Sequence, residues 1–265
     1  MRTVGRINVT PVKGTRLHHP DRVDLTAAGI PENRRFFLIE ERGELFSGPD
    51  HGPLVRIHAD HEPATGMLTL RLPDGGELTG DAGSGGQAVV TDFYGRPVPG
   101  HVVEGPFAEA LTRFIGRPVR LVRADRDGDG PDMEPLTLVS QASVRELAQQ
   151  GRYAGDLDSR RFRINVEMAG CEPFEEDSWT GRRVRIGTAE VLVTGQIPRC
   201  VVTTQDPDTG LKDWDTLRQI ARYRRRIDGR GGLPFGMYAR VTRPGAVAIG
   251  DAVQPLGANT DIAAG

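Results

Sequence analysis

The sequence predicts a β-rich fold, mainly antiparallel β-barrels with few helices, and three observations carry that prediction. Apolar and β-branched residues recur in short runs rather than over long helical windows. Glycine and proline punctuate those runs, with 34 glycines and 19 prolines in 265 residues. Only three stretches hold a helical period. Short strands between frequent turn residues are what a closed or nearly closed antiparallel sheet needs.

Taken in order, "RINVTPV" (6–12) opens as a strand, and "RRFFLIEERGELFS" (34–47) reads as a hairpin turning at Arg42-Gly43. "MLTLRL" (67–72) and "ELTG" (77–80) follow, with Asp74-Gly75-Gly76 as the turn between them. "GDAGSGGQ" (80–87) has the glycines of a phosphate loop but precedes a strand-like run and lacks the third glycine, so it reads as a plain loop. That run is "AVVTDFYGRPV" (88–98). "PFAEALTRFIG" (106–116), "SVRELAQQ" (143–150) and "WDTLRQIARYRRR" (214–226) are the helices, and "AVAIGDAV" (246–253) is a strand with a Gly-Asp turn. Between the halves lies "RADRDGDGPDMEP" (123–135), polar and rich in glycine and proline. Asp125, Asp127, Asp129 and Gly130 imitate the start of a calcium loop, but Leu136 stands where the bidentate glutamate belongs, so the segment reads as a linker. The expected organisation is a first domain over 1–125, a second over 126–258 and a flexible tail over 259–265. No internal repeat of fixed period is visible.

Composition removes whole classes of function. With 34 basic and 36 acidic residues the net charge is −2, so no global field points to nucleic acid or an anionic membrane. The basic side is lopsided: only Lys13 and Lys212 are lysines, so 32 of 34 basic residues are arginine. A bias toward arginine leaves those two lysines as places where arginine would not do. Two cysteines make no disulfide framework and suggest a reducing compartment. The N-terminus has no long apolar core, and no stretch approaches the roughly 20 apolar residues of a membrane span. A soluble, cytoplasmic protein is expected. All six histidines lie within the first 101 residues and no CxxC occurs, which disfavours zinc and iron–sulfur sites.

One of the two cysteines carries the chemistry. In "GQIPRCVVTTQDPDTG" (195–210), Cys200 follows Pro198 and Arg199 and precedes a β-branched run. Two readings stand side by side: a small inert cysteine, or a thiol whose neighbouring guanidinium favours the thiolate that binds metals and attacks electrophiles. Other stretches add polar groups. "RFRINV" (161–166) sets Arg163 and Asn165 two apart, on one face of a strand. "FEEDSW" (174–179) holds Asp177, "PFGMY" (234–238) holds Tyr238, and "LVSQAS" (138–143) holds Ser140. "PVKG" (11–14) delivers Lys13 and Gly14, and "NRRFF" (33–37) delivers Arg34 and Arg35. Taken singly, each also reads as an ordinary strand, loop or core residue.

In this order and spacing the motifs resemble the MOSC family, named for the C-terminal domain of molybdenum cofactor sulfurase. The resemblance is to the branch containing the mitochondrial amidoxime reducing component and its bacterial counterparts, and it covers nearly the whole chain. It implies an N-terminal MOSC β-barrel followed by a MOSC domain. It further implies a molybdenum cofactor, with Cys200 as the metal ligand and Lys13, Gly14, Arg35, Ser140, Arg163, Asn165, Pro198, Arg199 and Tyr238 as cofactor-binding positions. Asp177 joins Cys200 as a catalytic candidate. Four positions depart from the pattern: Arg34 stands where an acid is usual, Gly14 replaces a serine, Ile164 a proline, and Pro198 a small polar residue. The implied activity is two-electron reduction of an N-hydroxylated or N-oxide small molecule, with electrons from a separate flavin or iron–sulfur donor. The arginine-rich stretch "RQIARYRRR" (218–226) reads either as a docking face for that donor or as a solvated helix face. The alternative is a carrier of cofactor or persulfide sulfur on Cys200, or a cysteine-dependent carbon–sulfur lyase.

Overall fold

The computed structural model describes residues 1–83, 85–225, 227 and 232–258. Along the first half run β1 (Thr3–Ile7), β2 (Arg22–Leu25), β3 (Phe36–Ile39), β4 (Leu45–Phe46) and β5 (His58–Glu62). Next come β6 (Met67–Arg71), β7 (Glu77–Asp81), β8 (Ala88–Phe93), β9 (Arg96–Val102), helix α1 (Phe107–Ile115) and β10 (Arg120–Ala124). The second half holds β11 (Leu136–Ser140), α2 (Gln141–Gln150), β12 (Val166–Ala169), β13 (Arg182–Ile186) and β14 (Ala189–Arg199). It ends with α3 (Thr216–Ala221), β15 (Leu233–Arg243), β16 (Gly245–Ala248) and β17 (Val253–Ala258). The fold is β-rich, as expected.

A seven-stranded sheet in the order β1-β12-β11-β15-β14-β13-β17 forms the second half, and a five-stranded sheet, β4-β3-β10-β9-β8, the first. All the pairs are antiparallel except β11 with β12, whose crossover is made by α2. The large sheet curls until its edges meet, because Thr3 of β1 bridges to Ala252, the residue before β17. Strand β1 therefore belongs to the sheet of the second half, where it pairs with β12. Alternation along β3 serves two cores at once: Phe36 and Leu38 pack with Leu68, Phe107 and Leu121, while Phe37 and Ile39 pack with Phe93 and Val122. All nine are fully buried, and each such side chain contributes roughly 1.5–3 kcal/mol. A third cluster fills the second-half sheet with Val4, Ile7, Met168, Trp179 and Val193. Among the described residues no helix is long and apolar enough to cross a membrane.

The structure differs from the sequence reading in several places. "AVVTDFYGRPV" is not one strand but the β8–β9 hairpin, turning at Tyr94-Gly95, both with φ > 0 (57° and 91°). The third helix stops at Ala221 instead of running to 226. Its continuation is diverted by packing: Tyr223 lies 5.5 Å from the Phe174 ring, and Arg224 pairs with Asp177. Arg226 and the tail 259–265 fall outside the described residues. Arg163 is not in a strand. It ends the 3-10 turn Ser159–Phe162 in the left-handed region (φ 52°), so strand alternation is not what relates it to Asn165.

Candidate functional site

A cleft opens where the two halves meet, lined by Lys13 and Arg34 from one and by Arg163, Arg199 and Cys200 from the other. Its floor is the end of β14. There Pro198 and Arg199 give way to Cys200, which is exposed and extended (φ −114°) ahead of the 3-10 turn Val201–Thr204. The Cys200 carbonyl accepts from the Thr203 amide at 3.3 Å and hydroxyl at 3.1 Å, which fixes the backbone under the thiol. Among the described residues it is the one thiol lining the cleft.

Arg199 lies against the sheet. Its Nε donates to the Phe235 carbonyl at 2.7 Å and Nη1 to the Phe162 carbonyl at 3.0 Å, while Nη2 is buried without a protein acceptor. Gly236 (φ 77°) makes room: a Cβ there would stand 3.2 Å from Nη2 and 2.9 Å from the Leu138 carbonyl. The glycine of "PFGMY" thus serves the guanidinium as well as the strand. Burial pushes Arg199 down to about 10, so it stays cationic at neutral pH.

Opposite stand Lys13, Arg34 and Arg163. Each is held by a backbone carbonyl: Lys13 by Gly130 (3.1 Å), Arg34 by Arg163 (3.1 Å), and Arg163 by Thr15 (2.7 Å). Lys13 also pairs with Asp132, which keeps 41% of its side chain exposed in the cleft. Burial pushes the Lys13 ammonium down to about 8, against the pull of Asp132, with Arg34 and Arg163 adding to the fall. Burial and then Arg34 bring Arg163 down to about 9. For Asp132 burial opposes ionisation, yet Lys13 and Arg34 outweigh it and hold the carboxyl below its usual range. Four cations facing one central carboxylate make an anion cradle.

Family models place the chain as a whole. The MOSC domain model matches residues 125–254, and that of the MOSC N-terminal beta barrel domain matches residues 1–118. The chain belongs to the MOSC family. Mitochondrial amidoxime reducing component 2 of Rattus norvegicus is 37% identical over 95% of this chain and 82% of its own length. Mitochondrial amidoxime-reducing component 1 of Homo sapiens is 33% identical over 96% and 83%. The Macaca fascicularis component 2 is 28% identical over 95% and 82%.

The MOSC cleft gathers Lys13, Gly14, Arg163, Asn165, Pro198, Arg199, Cys200 and Tyr238 along one surface. Asn165 is pinned rather than free: its Oδ1 accepts from Thr137 at 3.0 Å and its Nδ2 donates to the Asn8 carbonyl at 3.1 Å. Gly14 has φ 94°, where a Cβ would also approach Leu54 to 3.1 Å, so glycine suits this backbone better than serine. Ile164 is buried and its carbonyl accepts from Asn8 at 2.7 Å.

Three expected residues do not line the cleft. Arg35 turns away, because Arg34 takes φ 57° and rotates the chain. Arg35 instead reaches Asp127 (3.1 Å) and the Asp125 carbonyl (3.2 Å), leaving Arg34 as the member of this pair that lines the MOSC cleft. Ser140 caps α2, accepting from the Ala142 amide at 3.0 Å, and its own amide donates to buried Glu176 at 3.1 Å. Asp177 pairs with Arg224, and burial raises its pKa. Cys171 is buried in the sheet core, and burial followed by Glu175 and Glu176 pushes its thiol up to about 11.

Sequence reasoning missed Asp132 and Tyr94. The segment 123–135 is a strap, not a slack linker: Arg96 Nη2 donates to the Asp129 and Pro131 carbonyls at 2.6 Å, and Gly130 sits where a Cβ would be 1.7 Å from the Arg34 carbonyl. Only that crossing glycine hinted at the close approach.

Proposed function

We propose that the chain is a molybdenum cofactor-dependent oxidoreductase that reduces N-hydroxylated or N-oxide substrates. One observation carries the reading: an exposed soft thiol, Cys200, shares a cleft with Lys13, Arg34, Arg163 and Arg199. The MOSC match and the relatives named amidoxime reducing component support it.

The residues fit a phosphate-bearing pterin with a soft metal at one end. Cys200 would be the protein ligand of the metal, since sulfur is the donor such a metal takes. Lys13, Arg34 and Arg163 would hold the phosphate, the arginines by planar forks and the lysine as a compact charge. Arg199 Nη2, buried and without a protein acceptor, offers one further donor. When bound, the cofactor supplies the two electrons that break the N–O bond. For an amidoxime the balance is R–C(=NOH)NH2 + 2 e⁻ + 2 H⁺ → R–C(=NH)NH2 + H2O.

The chain's own task is to hold that anion in a fixed frame. Carbonyl-anchored cations do this without reorganising, and the cleft walls limit water around the reacting group. Electrons would come from a separate flavin or iron–sulfur donor. Helix α3 packs against the 3-10 turn that follows Cys200, and Thr216 Oγ1 donates to the Thr203 carbonyl at 2.6 Å. Exposed Arg218, Arg222 and Arg225 on and after that helix suit an acidic face of such a donor. A cytoplasmic, reducing setting suits two free cysteines.

The test is to purify the protein from a cofactor-competent host, measure molybdenum and pterin per chain, and assay benzamidoxime reduction with reduced viologen. Stoichiometric metal with turnover supports the reading. Metal-free protein bearing labile sulfur on Cys200 would move it to sulfur transfer.

A further inference from the structure

The mouth of the cleft holds one aromatic that neither the anion cradle nor the cores account for. Tyr94 is the first of the two residues that turn β8 into β9, and its φ of 57° is unusual for a bulky residue. A two-residue turn with both φ values positive favours Asn-Gly or Asp-Gly, so tyrosine is a strained choice here. Strained residues persist where their surroundings over-determine them, and such sites concentrate at function.

The surroundings do over-determine it. Below Tyr94, Phe93 is fully buried against Phe37 with ring centroids 4.9 Å apart, and Lys13 Nζ lies 5.1 Å above the Phe93 ring. On the other side of the turn, Arg96 ties the hairpin to the carbonyls at 129 and 131. The Gly95 amide donates to Asp92 at 3.1 Å. The tip therefore cannot slide to relax.

Tyr94 is also the one exposed aromatic side chain among the described residues, at 62%. Its ring projects at the rim while its hydroxyl turns inward to bond Ser47, within the field of Asp132 and Cys200. Apolar exposure of this kind, beside a cleft that holds the exposed Cys200 thiol, marks a face meant for a ligand.

We propose that Tyr94 selects and orients the substrate: its ring is the face on which a planar, conjugated N-hydroxylated group lies, and its hydroxyl donates a hydrogen bond to the N–O oxygen. The proposal rests on the reductase reading and adds the substrate's shape to it. A flat amidoxime gains an offset-stacked contact with the ring. An aliphatic N-oxide, tetrahedral at nitrogen, cannot stack. Burial of the hydroxyl, then Asp132 and Cys200, raise its pKa, so it stays a donor through neutral pH.

Two variants separate ring from hydroxyl. Tyr94→Phe keeps the ring. Tyr94→Asn removes both but restores the favoured Asn-Gly turn, so folding is secure. Each is compared with the parent for molybdenum content, melting temperature, and kcat and KM on benzamidoxime and on trimethylamine N-oxide, with reduced viologen as donor. Metal content should be unchanged in both, and Tyr94→Asn should melt no lower than the parent. On benzamidoxime, kcat/KM should fall about three- to tenfold in Tyr94→Phe, the worth of one neutral hydrogen bond, and roughly thirtyfold in Tyr94→Asn, with KM rising. On trimethylamine N-oxide the Asn variant should fall no further than the Phe variant. Parent activity that survives intact in Tyr94→Asn overturns the assignment of Tyr94 alone, as does an equal thirtyfold loss on both compounds. A parent that holds molybdenum and reduces neither compound overturns the reductase reading, and this proposal falls with it.

Discussion

Replacing Asp132 by asparagine probes the pairing at the centre of the cleft. In the folded chain Lys13 is buried and its pKa lies at about 8, against an ordinary 10.5. At roughly 1.36 kcal/mol per unit, that displacement opposes folding by about 3 kcal/mol at pH 7. Without Asp132, Lys13 loses the neighbour that pulls its pKa up and is left facing Arg34 and Arg163. It then sheds its proton, a route that costs about 5 kcal/mol from 10.5 to pH 7. The difference, on the order of 1–2 kcal/mol, is the most that Lys13 adds to the loss at pH 7, and solvent reaching the 41%-exposed Asp132 trims it further. At pH 9.5 the lysine is neutral in both proteins and this part of the loss disappears. The sign follows from linkage: between 8 and 10.5 the unfolded chain binds more protons at Lys13 than the folded one, so its contribution to stability rises with pH. Urea unfolding of parent and Asp132→Asn at pH 7 and 9.5 reads the change directly. A difference in stability that stays the same at both pH values, or grows toward pH 9.5, refutes the coupling.

Three further outcomes are expected. Cys200→Ala and Cys200→Ser should lose molybdenum and reduction, whereas Cys171→Ser keeps both. Iodoacetamide should label Cys200 and spare Cys171, whose thiolate fraction near pH 7.5 is about one in 3,000 given its pKa of about 11; equal loss from both substitutions would argue for a thiol pair. Arg163→Ala removes a cation and the donor to the Thr15 carbonyl, so cofactor affinity should drop about tenfold to a hundredfold, with a smaller fall in melting temperature; full metal content in the variant refutes its place in the cradle. Burial raises the pKa of Glu176, whose Oε2 has no protein partner. That carboxyl favours the fold while protonated, and the benefit is lost as pH rises through its folded value. Glu176→Gln should therefore melt higher than the parent at pH 8 and not at pH 4, and a uniform shift would contradict the argument.

The parts of the site that the sequence exposed are those where residue type alone is informative. Lys13 stands out because lysine is so rare here, and Cys200 because a thiol beside an arginine has few uses. The hairpin at Gly43 (φ 90°) was legible from its turn glycine, whereas the one at Gly95 was not, because Tyr94 before it is no ordinary turn residue. What stayed hidden depends on single backbone angles and on packing across the chain. Nothing in "NRRFF" says which arginine faces inward; the φ of Arg34 decides it. Ser140 and Asp177 sit in motifs of the family pattern, yet a helix cap and an ion pair to a residue 47 positions away engage them. The polar composition of 123–135 suggested a linker, while the contacts that strap it down come from Arg96 and Arg35, about 30 and 90 residues away in sequence. The third helix ended early for the same reason, its arginine drawn to Asp177.

Strand β1 pairs with β12 across more than 150 residues of chain. Thr3 through Ile7 leave the ribosome long before their hydrogen-bonding partners, Val166 to Ala169. The first barrel can condense around its own core during synthesis, but the second must wait for β1 and β12 to meet. That departs from a simple beads-on-a-string succession, with β1 among the last pieces fastened. Severing the chain near residue 125 would leave the later half missing a sheet edge, with a row of unpaired amides and carbonyls on β12 ready to recruit a strand from any neighbour.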